Sequence, residues 1–164
     1  MPISVDLIVA CSSWQKAGVP LEYIPTWVIA ACKHGAQQLV EGEITVTLAD
    51  NRTIHDLNQR HRQQDKPTNV LSFPVFSTLE ELIQASLHSG QLIGDIILAY
   101  ETVSLEALRQ DKSLSAHTSH LLVHGTLHLL GYDHEEESQA EEMESLEANI
   151  MKDLGFENPY TCIL

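Results

Sequence analysis

Apolar and polar positions change period several times along this chain, and each change predicts an element. Ser4 to Ala10 alternates loosely and reads as a first strand, followed by a polar turn through Ser12, Ser13 and Gly18. Pro25 is tolerated in the first turn of a helix, and the run Trp27-Val28-Ile29-Ala30-Ala31-Cys32 carries that helix to about Val40. Glu43 to Leu48 alternates with period two and is rich in β-branched residues, which predicts a strand. Asp50 or Asn51 caps the next helix, which carries Ile54, Leu57 and Asn58 toward Arg62. Asp65 to Asn69 reads as a loop, and Val70 to Phe73 as a short strand stopped by Pro74. Thr78 to Gly90 fits either a short helix or a mobile loop.

After Gly94-Asp95, the apolar run Ile96 to Tyr100 predicts a strand buried on both faces. Glu101 to Asp111 follows as a helix with Val103, Leu105, Ala107 and Leu108 inward. A further helix starts near Ser113 or Ser115 and runs to Leu130, its core side formed by Leu122, Val123, Leu129 and Leu130. The last helix, Glu135 to Leu154, places Ala140, Met143, Ile150, Met151 and Leu154 on one side, leaving its glutamates mostly as a solvated face. The order of elements predicts an α+β fold: a small mixed sheet of about four strands covered by about five helices, in a single domain over residues 1–164.

Composition narrows the class. A hydrophobic content of 43% and a mean hydropathy of -0.08 describe a soluble globular chain. No window offers the roughly eighteen apolar residues of a membrane span, and no basic stretch precedes the short apolar run Leu7 to Cys11. Cys11, Cys32 and Cys162 are far apart and odd in number, which predicts a reducing cytoplasm and excludes a cysteine metal site. The formal net charge of -14 argues against a general nucleic-acid binder. The distribution of that charge leaves room for a local exception: Arg52, Arg60, Arg62 and Lys66 fall in one short segment, while seven glutamates crowd into Glu135 to Glu147. A basic patch on an acidic body can hold RNA, with placement supplied by a partner such as the ribosome.

The chemistry concentrates in His124-Gly125-Thr126-Leu127-His128-Leu129-Leu130-Gly131-Tyr132-Asp133-His134. His124 and His128 lie one helical turn apart, their β-carbons roughly 5–6 Å from each other on one face. Gly131 gives the backbone freedom to leave the helix in a left-handed turn, which brings His134 back as a third ligand. Three neutral imidazoles around one Zn²⁺ leave a fourth position for water, the mark of a catalytic site. His117 and His120 continue the same stripe toward the helix start and are not counted as ligands; His117 reads as an exposed or packing histidine. Asp133 reads as a turn residue.

The run from His120 to His134 resembles the signature of the YbeY family of bacterial rRNA-maturation endoribonucleases. The likeness extends through Pro67 to Pro74 and the acidic tail, from about residue 43 onward. Asn58, Arg62, Asp65, Thr68 and Val70-Leu71-Ser72-Phe73-Pro74 match the family's second motif, with His61 and Asn69 at positions more often Tyr and Asp. The resemblance implies that Arg62, by composition a surface arginine, stabilises charge on phosphate. It also implies single-strand-specific cleavage in 16S rRNA 3′-end maturation and late-stage ribosome quality control. Expected partners are rRNA, the small ribosomal subunit and ribosomal proteins, with no membrane.

Two rival functions stand beside this one. A zinc peptidase would use a His-Glu-x-x-His helix, but the glutamate position is Gly125 here, which removes the usual general base. A non-catalytic ribosome-associated protein would use the zinc to pin the last two helices together.

Overall fold

The computed structural model describes residues 3–37, 39–88 and 90–161; Cys162 lies outside them. The α+β architecture is the one expected: a four-stranded mixed sheet with helices on its two faces. Strands β1 (Ile3–Val9), β2 (Gly42–Ala49), β3 (Val70–Pro74) and β4 (Leu92–Ala99) lie in the order β1-β2-β4-β3. β1, β2 and β4 are parallel, and β3 closes one edge antiparallel to β4, with Ser72 opposite Ile96 and Pro74 opposite Gly94.

Seven α-helices accompany the sheet among the described residues, against about five expected: α1 (Ser13–Lys16), α2 (Ile24–Ala36), α3 (Asn51–Arg62), α4 (Leu79–Ala85), α5 (Tyr100–Arg109), α6 (Leu114–Leu129) and α7 (Glu137–Asp153). The unforeseen one is α1, in the stretch expected to be a polar turn. It seats the fully buried Trp14, whose indole N–H donates to the Ala49 carbonyl at 2.9 Å. Thr78 caps α4, settling the open segment as a short helix with Leu82 in the core.

β4 begins at Leu92, so Gly94 and Asp95 lie inside the strand rather than before it, and Tyr100 opens α5. Being central, β4 buries Ile96, Ile97, Leu98 and Ala99. Ile96 and Leu98 face the larger core shared with α2 and α6, whereas Ile97 and Ala99 join Ile54, Leu57, Leu71 and Phe73 beneath α3. In α5 the inward residues are Val103 and Ala107, one turn apart. Leu105 and Leu108, expected inward, are 45% and 78% exposed. Their helical angles place them away from the Val103–Ala107 stripe.

Helix α6 seats on the sheet where two glycines remove side chains from the contact. A Cβ at Gly125 would meet Ser72 Oγ at 2.9 Å and Ile96 Cγ2 at 3.1 Å. A Cβ at Gly94 would lie 2.6 Å from both the Phe73 carbonyl oxygen and Leu129 Cδ2. Ser72 Oγ also donates to the Gly125 carbonyl at 3.2 Å. The helix therefore lies directly over β3 and β4, with its histidine stripe turned to the side rather than down into the sheet.

Gly94→Ala is expected to destabilise by about 1–3 kcal/mol or more, because a backbone carbonyl cannot move aside as a side chain can. Gly125→Ala, which meets a rotatable hydroxyl and a methyl, is expected to cost less. Urea denaturation of both variants checks the ranking.

Candidate metal centre

The site begins with the way α6 ends. Ser113 opens the helix by accepting from the Ala116 N–H. At the other end Gly131 takes φ +98°. Its N–H donates to the His128 carbonyl at 3.0 Å, and the Tyr132 N–H donates to the Leu127 carbonyl at 3.1 Å. This pair of bonds is a Schellman turn, which satisfies the last carbonyls and reverses the chain. Tyr132 is anchored through its hydroxyl to the Gly35 carbonyl on α2 at 2.8 Å. The reversal carries His134 back to the side of the helix where His124 and His128 project.

The three imidazoles offer ligand atoms within 4.8 Å of one another. His124 and His128 bring their Nε2 atoms to 3.0 Å, and the His134 ring lies 4.9 Å from that of His128 and 5.6 Å from that of His124, centre to centre. His134 is exposed and the other two are partly buried. Its backbone N–H is held by the Asp133 carboxylate at 2.7 Å, so Asp133 acts as a turn residue.

The hydrogen bonds on the far sides of the rings test whether a cation fits. His128 Nδ1 donates to the Tyr132 carbonyl at 2.9 Å, and His124 Nδ1 donates to Glu147 Oε1 at 3.0 Å. Both protons are thus held on Nδ1, and both Nε2 lone pairs point at one spot. Two bare lone pairs at 3.0 Å repel unless a positive centre lies between them. Nitrogens sharing a tetrahedral zinc with bonds of about 2.0–2.1 Å would stand about 3.3 Å apart. The donor set, neutral imidazoles with outer acceptors, suits a transition ion.

Electrostatics supports the neutral form of His128. Burial first, then the neighbouring His124, hold its pKa down to about 4. Glu147 is 1% exposed, and burial alone would raise its pKa. Hydrogen bonds from His120 and His124 outweigh that and hold the carboxyl at about 2, so it remains ionised.

Glu147 is the buried exception among glutamates that are otherwise exposed, as expected of a mostly solvated face. The signal is present in the sequence: Ala140, Met143, Ile150, Met151 and Leu154 form a stripe along α7 with a gap of one turn, and residue 147 fills that gap. His120 does not project toward the ion site but bonds Glu147 at 2.9 Å. His117 is a buried histidine rather than an exposed one, 3% accessible and bonded to Glu106 at 2.9 Å. Glu106 in turn accepts from Asn69 at 3.0 Å, which ties the loop before β3 to α6.

Arg62 is exposed at the last position of α3, and no ion pair holds it among the described residues. Its helix, α3, and the histidine helix, α6, both contact the edge strand β3. His61, the neighbour of Arg62, packs edge-on against Phe73 of β3 at 5.1 Å, while Ser72 faces the other way to Gly125 beside His124. The basic segment around it is interrupted by acids: Asp56 pairs with Arg60 at 3.2 Å and Asp65 with His55 at 2.7 Å. Of the cysteines, Cys11 and Cys32 are free thiols, and burial pushes Cys32 up to about 12, leaving it unreactive. No helix among the described residues is long and apolar enough to cross a membrane.

Comparison with known proteins bears on the family and the fold. A family model described as endoribonuclease YbeY matches residues 12–155. Among solved structures, the solution structure of TM1509 from Thermotoga maritima superposes with a TM-score of 0.55 at 20% sequence identity. The match covers 97% of this chain and 100% of that one, and at this identity it is a likeness of fold.

The depressed pKa values of His128 and His117 set a pH dependence. The unfolded chain binds protons on these rings near pH 6.5 that the folded chain refuses, so the metal-free protein loses stability as pH falls below that value. For His128 the loss continues toward about pH 4, at up to about 1.4 kcal/mol per pH unit. Urea denaturation of chelator-treated protein at pH 7 and pH 5 is expected to show the drop, and His128→Gln to show a smaller one.

Proposed function

Because the chain belongs to the YbeY endoribonuclease family, whose role is in rRNA maturation, we propose that it is a zinc-dependent endoribonuclease specific for single-stranded RNA. In this reading it acts in 16S rRNA 3′-end maturation and late-stage ribosome quality control, as one cytoplasmic domain with the small subunit and its proteins as partners. His124, His128 and His134 hold one zinc ion, and Arg62 binds the phosphate under attack.

The observation that carries the reading is the pair of Nε2 atoms at 3.0 Å whose Nδ1 protons are both engaged elsewhere. When bound, the ion supplies a Lewis acid for the phosphodiester. The chain's own contribution is geometric and electrostatic. The Tyr132 carbonyl and the Glu147 carboxylate bond the outer ring nitrogens, and the Schellman turn delivers the third imidazole. Arg62 offers a forked donor to the non-bridging phosphate oxygens, where negative charge grows in the transition state. RNA lying along the β3 edge would pass between the Arg62 side of the sheet and the histidine side.

The structure also weakens the peptidase alternative. In a His-Glu-x-x-His helix the carboxylate follows the first histidine, and that position is Gly125. A side chain there would run into Ser72 and Ile96. A glutamate would crowd these neighbours, so the carboxylate of such a helix does not fit at that position.

A labelled single-stranded fragment spanning the 3′ end of 16S rRNA, incubated with nuclease-free protein, tests the proposal. Wild type is expected to cleave it and to spare the same sequence in a duplex. Arg62→Ala is expected to lose about 10²–10³-fold in rate, in line with removal of one donor to a developing oxyanion, while keeping its zinc. His124→Ala is expected to lose zinc and cleavage together. Equal cleavage by all three proteins would overturn the assignment.

A further inference from the structure

Glu147 has more hydrogen bonds than a helix-packing residue needs. Its Oε1 accepts from His124 Nδ1 at 3.0 Å and from His120 Nε2 at 2.9 Å, while Oε2 accepts the Tyr160 hydroxyl at 2.9 Å. It occupies the apolar stripe of α7 between Met143 and Ile150, where a leucine would bury without any desolvation penalty. A carboxylate in that place loses its hydration and is unfavourable unless its lone pairs are filled. Here three donors fill them, two from α6 and one from the segment after α7.

The donors are themselves committed. His120 is largely buried, its Nδ1 has no partner among the described residues, and its Nε2 faces Glu147 with Tyr160 Oη beside it at 3.3 Å. The Tyr160 ring stands edge-on to the His120 ring at 5.3 Å. The one nitrogen left without a partner, His120 Nδ1, is buried away from solvent, and the other polar groups of the two side chains are engaged with Glu147. Both point at the same carboxylate.

We propose that Glu147 is a positioning residue of the metal centre, locking the Nδ1–H tautomer of His124, and that His120 and Tyr160 act through it by holding the carboxylate in place. This rests on the metal-centre reading above. The chemical reason is specific: the proton of a neutral imidazole sits on one nitrogen or the other, and the hydrogen bond made by one decides whether the other is free to ligate. Without an acceptor at Nδ1, His124 can carry its proton on Nε2 and block its own ligand atom.

Glu147→Leu and Glu147→Gln separate this role from mere packing. Nitrogen NMR of the histidine rings in metal-free protein is expected to show His124 as the Nδ1–H tautomer in wild type and shifted toward Nε2–H in Glu147→Leu. Zinc affinity, measured by competition with a chromophoric chelator, is expected to fall about 10–100-fold in Glu147→Leu, with Glu147→Gln intermediate because an amide oxygen still accepts. The melting temperature of the metal-free Leu variant is expected to fall, because His120, His124 and Tyr160 lose their shared acceptor, so the ring tautomer rather than stability carries the distinction. Tyr160→Phe, on a partly exposed ring, keeps the fold intact and is expected to weaken zinc less than Glu147→Leu does. It decides the matter should the Leu variant not fold.

Wild-type tautomer and wild-type zinc affinity in both Glu147 variants, or unchanged zinc affinity in Tyr160→Phe, would overturn the proposal. A wild-type protein that binds no zinc would overturn the metal-centre reading instead, and the ring tautomers would still report whether Glu147 sets His124.

Discussion

The close seat of α6 on the sheet is the constraint on which the rest depends. At Gly125 and Gly94 one partner in the helix–strand contact contributes no side chain, and the neighbours lie at distances where even a methyl group would crowd them. That approach fixes both the height and the rotation of α6. Rotation matters because His117, His120, His124 and His128 occupy one stripe to the side of the Gly125 contact. With the helix pinned, each histidine meets its own neighbour: Glu106 for the first, Glu147 for the next two and the Tyr132 carbonyl for the last.

From this seat the site grows by hydrogen bonds that run outward from the rings. The inner nitrogens of His124 and His128 converge, and the outer ones are each engaged by an acceptor with its own anchor. Tyr132 is tied to α2 through Gly35, and Glu147 belongs to α7. The site is therefore supported by elements on either side of α6 that supply no proposed ligand themselves. The same logic joins the second motif to the first, since Asn69 reaches the histidine helix through Glu106 and His117.

Much of this is legible in the sequence. The spacing of His124, His128 and His134 around Gly131 predicts a helix, a glycine stop and a reversal, and the Schellman turn is that reversal. Period-two and continuous apolar runs locate the strands because those patterns report burial directly. The departures share a cause. Trp14 sits among polar neighbours in a four-residue helix, too short for any period to show. Leu105 and Leu108 are apolar by type, but their helical angle, which decides burial, turns them outward. The charge of Glu147 and its acidic neighbours suggest solvent, although its position lies on the buried stripe. What makes its burial tolerable is the chemistry of His120, His124 and Tyr160, which are 27, 23 and 13 residues away. Local pattern carries no information about partners at such separations.

The turn at Gly131 also has a kinetic meaning. All three imidazoles come from one short stretch, most of it helix, so gathering them closes only a very short loop and costs little chain entropy. An ion that leaves such a site does not release distant parts of the chain from each other. The packed face of α6 keeps two of the three rings facing the same point, and only the few residues around the turn must settle again. Exchange of an ion held by these three rings would thus be uncoupled from folding of the whole, unlike in small domains where metal and core assemble as one event.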